Sequence, residues 1–160
     1  MDTLLTLAEV SVAMAGFSSI VVMFKRRESE TWRKADADRF NGMILHSMLA
    51  VAFSFLPFTF TLLAVSESYS FQFCSGLLAI ITGLQVVITS RLESSGALWI
   101  KTQVIVGGLT TAVLQALGAF GVFPEHGLGI YFLGVFWHLT QAGALFVMLI
   151  WIPGSMVAED

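Results

Sequence analysis

Apolar residues in this chain come in long unbroken blocks rather than in a short-period alternation. Between successive charged residues lie Val10–Phe24, Phe40–Ser66, Ser68–Ser90, Thr102–Pro124 and His126–Ala158. A hydrocarbon core about 30 Å thick is crossed by roughly 20 apolar residues in a helix. Four of the blocks reach that length unaided, and the first does so by counting back past Glu9 to Thr3. A spanning segment must satisfy its own backbone hydrogen bonds, which restricts it to helices or closed barrels. Barrel strands are short and alternate apolar with polar, unlike these blocks. The pattern predicts an all-α polytopic transmembrane bundle, a single domain over residues 1–160. Its five helices are expected at about 3–24, 36–65, 69–91, 98–123 and 127–152. Turn-forming runs at Ser66-Glu67-Ser68, Glu93-Ser94-Ser95-Gly96 and Pro124-Glu125-His126-Gly127 separate the later ones.

Composition supports the same class. Charged residues make up 12% of the chain and hydrophobic ones 56%, whereas a soluble domain carries about 25% charge. The distribution of the cations adds an orientation. Lys25, Arg26, Arg27, Arg33, Lys34 and Arg39 lie between the first two helices, and Arg91 and Lys101 flank the loop between the third and fourth. Cytoplasmic loops are enriched in Lys and Arg, so the N-terminus is expected outside and the C-terminus in the cytoplasm. Trp32, Trp99 and Trp151 then fall at the inner interface, and Tyr69 and Tyr131 near the outer one, while Trp137 lies deep in the fifth helix. The first helix has no positive start and is followed by Lys25-Arg26-Arg27, so it reads as an anchor rather than a cleavable signal.

Several function classes drop out. There is no basic tract of the kind that binds nucleic acid. The single cysteine, Cys74, excludes an internal disulfide and a cysteine-based metal centre, and reads as a packing residue. No catalytic triad, phosphate-binding glycine loop or paired-carboxylate metal motif is present. No cofactor is assigned, and no enzymatic activity.

Ionisable groups at membrane depth are costly and mark candidate sites. Glu9, His46 and His138 qualify. Glu9 shares a helix face with Ala13, Gly16 and Ile20, beside a second small-residue stripe of Ser11, Ala15 and Ser19, so it is expected to face protein or water. His138 lies with Tyr131, Gly134, Gln141 and Ala142. Gln115 sits among Gly108, Thr111, Ala112, Gly118 and Ala119. Glu9, Gln115, His138 and Gln141 are the candidates for an ion path, with Glu9, Gln115 and His138 meeting in the outer half, or else for a simple interhelical hydrogen-bond network. His46 lies less than two turns from the depth of His138, the minimum arrangement for a bis-histidine haem; two satisfied histidines are the plainer reading. Asp36, Asp38 and Arg39 form either a charged interfacial collar, with Ser29 or Thr31 capping the helix ahead of them, or a cytoplasmic vestibule. Pro57 predicts a kink, with Thr59 and Thr61 covering freed carbonyls. Gly16 and Pro57 are the gating candidates.

Leu7-Ala8-Glu9, the run Ala15-Gly16-Phe17-Ser18-Ser19-Ile20-Val21-Val22, the basic end, Trp32 and Arg39 resemble a group of small uncharacterised bacterial multi-pass inner-membrane proteins. The resemblance covers residues 5–50 and implies a bacterial inner membrane without implying an activity. The functional expectation is a homo-oligomeric ion channel or pore in the lipid bilayer. The alternatives are a haem redox protein using His46 and His138, and an accessory subunit bound to other membrane subunits.

Overall fold

The structure is a computed structural model that describes residues 2–28, 34–91 and 98–151. Among these residues the secondary structure is entirely helical. It comprises α1 (Asp2–Glu28), α2 (Lys34–Leu62), α3 (Glu67–Arg91), α4 (Leu98–Ala119), a 3-10 turn at Pro124–His126, and α5 (Gly127–Trp151). Five helices are long and apolar enough to cross a membrane. The expected contributions of Trp32, of a cap at Ser29 or Thr31, and of the Glu93–Gly96 turn fall outside the described residues.

Two helices end earlier than expected, each for a local backbone reason. α4 was expected to run to residue 123 but stops at Ala119, because Gly121 takes the left-handed region at φ 69°. There Gly121 N–H donates to the Gly118 carbonyl and Val122 N–H to the Leu117 carbonyl, closing the helix end. α2 stops at Leu62 by the same device, with Val65 N–H donating to the Phe60 carbonyl at 3.0 Å. Here the left-handed residue is Ala64, at φ 57°, and a Cβ in that region costs roughly 1–2 kcal/mol.

The chain divides into two compact units. One comprises Met1–Ala52 with His138–Asp160, and the other Phe53–Trp137. In the first, α1 buries Leu4, Leu7, Ala8, Ser11, Ala15, Ser18 and Val22, a helical stripe of mostly small side chains. The start of α2 buries Met43, Ser47 and Ala50, and the end of α5 buries His138, Gln141, Ala142 and Leu149. Phe17 and Phe146 meet with ring centroids 6.0 Å apart. Leu145 Cδ1 lies 3.1 Å from where a Cβ on Gly42 would stand, and Met14 lies 3.5 Å from the same position on Gly143. Small residues thus let these helix segments approach closely.

In the second unit α3 packs along α4. The indole of Trp137 occupies the space a Cβ on Gly107 would need, and Val86 fills that beside Gly108. This explains a tryptophan deep in α5: the glycine on α4 makes the slot for it. Large apolar side chains point outward on every helix, among them Phe17, Leu45, Ile80, Leu109 and Phe136. A surface of that kind suits hydrocarbon and not water.

The two helix ends make opposite predictions. Ala64→Gly should stabilise the protein by about 1 kcal/mol, by removing the left-handed alanine. Gly121→Ala should destabilise it by at least about that much, because its new Cβ would also meet the Gln72 amide. Unfolding in mixed micelles measures both, and the same sign for the two would refute the account.

Candidate functional site

The polar residues inside the spans separate into groups belonging to the two units. In the first unit the Nδ1 atoms of His46 and His138 stand 3.1 Å apart. The ring centroids are 5.3 Å apart and the planes are inclined by 35°. That centroid separation is what results when the N···N line runs along both rings, so the nitrogens face each other head-on. His138 is fully buried and His46 half-buried. A neutral pair in this geometry needs one ring with its proton on Nδ1 and the other with its proton on Nε2.

The face of α5 that carries His138 is turned inward along its length. Tyr131, Gly134, His138, Gln141 and Ala142 are all buried. Gln141 Nε2, Ser47 Oγ and Ser18 Oγ are buried without a partner from the protein. Each brings a polar atom from a different helix of the first unit, and burial of such an atom without a hydrogen bond costs roughly 1–3 kcal/mol.

The histidine geometry also tests the haem expectation. Two imidazoles on one iron lie on opposite faces of a flat macrocycle. With metal–nitrogen bonds of about 2 Å, the donors are then about 4 Å apart with the ring between them. Nitrogens in direct contact at 3.1 Å leave no room for it, so the two rings as they stand are not arranged about one iron.

Glu9 departs from its expected setting. It and its stripe of Ala13, Gly16 and Ile20 are exposed, and the buried side of α1 is instead the Ser11, Ala15 and Ser18 side. A Cβ on Gly16 would meet nothing within 4 Å. At the start of α2, Arg39 Nη1 donates to Asp36 Oδ1 at 3.3 Å, with Asp36 buried and Asp38 exposed. The three therefore do not line one surface.

In the second unit Gln115 is fully buried and its Nε2 donates to the Ile130 carbonyl. Gly134 opens the space that this amide fills. Gln115 is thereby committed to its own unit, and Glu9 is exposed, so the expected meeting of Glu9, Gln115 and His138 does not form. Pro57 is buried inside α2 and cannot donate to the carbonyl four residues back, that of Phe53. The hydroxyl of Tyr131 donates there instead. Thr59 and Thr61, expected to cover the freed group, donate to the Leu56 and Pro57 carbonyls at 2.6 and 3.1 Å. Tyr131 as the proline's partner was missed. The signal was present, since a buried tyrosine hydroxyl requires an acceptor, but its partner lies far off in the sequence.

A cavity of about 260 Å³ also opens in the second unit, lined by Glu67, Phe71, Gln72, Ser75, Gly118 and Glu125 among others. Among the described residues no group of three or more His, Cys, Asp or Glu is arranged to hold a metal ion. Comparison with protein-family models, curated proteins and solved structures yields no match for this chain.

The proline account is testable by a double-mutant cycle. Tyr131→Phe should cost roughly 1–3 kcal/mol by removing the hydroxyl that donates to the Phe53 carbonyl. In a Pro57→Ala background it should cost clearly less, because residue 57 then supplies the missing N–H. Equal costs in the two backgrounds would show that the hydroxyl serves another acceptor.

Proposed function

We propose that the chain is a multi-pass protein of a bacterial inner membrane that assembles into a homo-oligomeric ion-conducting pore, with α1 turned toward the shared axis. The observation that carries this reading is the exposed carboxyl of Glu9. α1 has 27 residues and is about 40 Å long, with Glu9 about 10 Å from its first residue. A hydrocarbon core of about 30 Å centred on that helix begins about 5 Å in, so the carboxyl stands about one turn inside it. A charge there facing lipid is expensive. Ala13 and Gly16 follow on the same exposed face, where a neighbouring helix can approach closely.

A second copy of α1 placed against this face covers the carboxyl, and closed rotational symmetry repeats it around an axis. A ring of carboxylates selects cations. Gln115, His138 and Gln141 are buried within the protomer, which leaves Glu9 as the ion-path candidate able to face an axis between copies. The cation-rich stretch from Lys25 to Arg39 supports the orientation with the N-terminus outside; Glu9 then stands near the outer mouth. The same exposed face would serve an accessory subunit whose partner is a different membrane protein, and the test separates the two.

In a Cys74→Ala background, Gly16→Cys should crosslink copy to copy in native membranes. The purified protein should pass cations in liposomes. Glu9→Gln should lower cation-over-anion selectivity by about tenfold, equivalent to ~1.4 kcal/mol of lost attraction. Absence of the self-crosslink, with co-purification of a different subunit, would overturn the homo-oligomer; unchanged selectivity in Glu9→Gln would remove Glu9 from the path.

A further inference from the structure

We propose that the His46–His138 pair is a proton-relay station within the first unit, taking up one proton on one ring and releasing one from the other. The inference does not rest on the assembly proposed above, because both rings belong to one protomer. The head-on contact at 3.1 Å holds a single proton between two nitrogens, so the pair has two neutral forms: in each, the ring that carries the shared Nδ1 proton has a bare Nε2, and the facing ring carries its proton on Nε2.

A proton arriving at Nε2 of the ring that already bears the shared proton makes that ring an imidazolium. Its Nδ1 proton then crosses to the facing Nδ1, and the second ring releases the proton it held on Nε2. One proton enters, one leaves, and no electrons move. The hydrogen bond is charge-assisted while the extra proton is present. Afterwards its polarity is reversed, so a second transfer in the same direction needs the rings or their protons to reset.

The surroundings supply what a relay needs on its way in or out. Gln141 follows His138 by one turn on the same face of α5, and Ser47 follows His46 directly on α2. Phe17 meets Phe146, so Ser18 of α1 lies about level with Val147, two turns beyond Gln141. Among the described residues, Gln141 Nε2, Ser47 Oγ and Ser18 Oγ are the buried side-chain polar atoms of this unit that take no partner from the protein. Such atoms in an apolar interior are satisfied by water, and water is the carrier that delivers protons to imidazole. Gln141 and Ser18 step from the dyad toward the end of the unit where Asp36 is buried beside Arg39, and Ser47 stands about level with the dyad. The other ionisable groups of the first unit's described side chains are Asp2 and Glu9 on α1 and Lys34 and Asp38 at the start of α2, and Glu9, Lys34 and Asp38 are exposed. α5 itself carries no Asp, Glu, Lys or Arg between Gly127 and Trp151.

Proteoliposomes enclosing a pH-sensitive dye, driven by a potassium diffusion potential, measure the transfer. Wild-type protein should move protons; His46→Gln and His138→Gln should each slow the flux by roughly a hundredfold or more. His126→Gln, in the connection before α5, should leave it unchanged. Flux equal to wild type in both dyad variants, or no flux in wild type, would overturn the proposal. Nitrogen NMR of histidine-labelled protein in lipid covers the case in which the variants fail to fold. It should show one protonated and one bare Nδ1 coupled across a hydrogen bond; two rings both protonated only at Nε2 would refute the relay. Cation selectivity in Glu9→Gln reports on the pore and proton flux in His46→Gln on the dyad, so the two readings fail separately.

Discussion

In hydrocarbon a backbone carbonyl has no water to turn to, and this constraint organises the second unit. Pro57 removes the helical donor for Phe53, and the Tyr131 hydroxyl supplies one from α5. At the residue before Tyr131, Gln115 donates from α4 to the Ile130 carbonyl. Both bonds require α5 to lie close to its neighbours. Gly134 allows it, lying against Gln115 and Leu78, and Gly118 does the same against Ile130 and Ser75. The glycines, the proline and the two polar side chains form one arrangement, in which each residue type answers a need created by another.

The distribution of side chains follows from the same solvent. Lipid tails are as apolar as leucine, so burying leucine drives nothing, and close packing and hydrogen bonds take over. Serines and a threonine accordingly fill interior positions, namely Ser11, Ser18, Ser47, Ser54, Ser70, Ser75 and Thr82, while large apolar groups face outward. Some hydroxyls return to their own helix, as Ser11 does to the Leu7 carbonyl and Ser70 to that of Ser66. Ser18, Ser47 and Ser54 do not; the first two are in the unit that also holds the histidine pair and the Gln141 amide, and Ser54 is in the other.

Much of the candidate chemistry was legible residue by residue. His46 and His138 stand out as rare ionisable groups at similar depth, and counting helical rise brings them within two turns of each other. The inward face of α5 shows in its mixture of small and polar residues. The facing of α1 was not legible. Its stripes Glu9–Ala13–Gly16 and Ser11–Ala15–Ser18 are both small and partly polar, and when the solvent is itself apolar, hydrophobicity does not distinguish inside from outside. Which stripe is buried depends on the shape offered by the other helices, here Phe146 and Gly143 against Phe17 and Met14. The same limit applied at Pro57: the sequence pointed to a freed carbonyl but offered local threonines as its partners, and the structure used a tyrosine from α5.

What the sequence determined by itself is the helical, membrane-spanning character of the chain and the number and approximate placement of its long helices. Both follow from local quantities: the length of each apolar block set against the thickness of a bilayer, and the turn residues between blocks. Tertiary structure decided which polar groups meet. It brought His46 and His138 into head-on contact, tied Tyr131 to Phe53 and Gln115 to Ile130, and left Glu9 exposed. Such contacts join residues far apart in the chain through rotations of whole helices, and a helix in an apolar medium carries little in its own sequence to set that rotation.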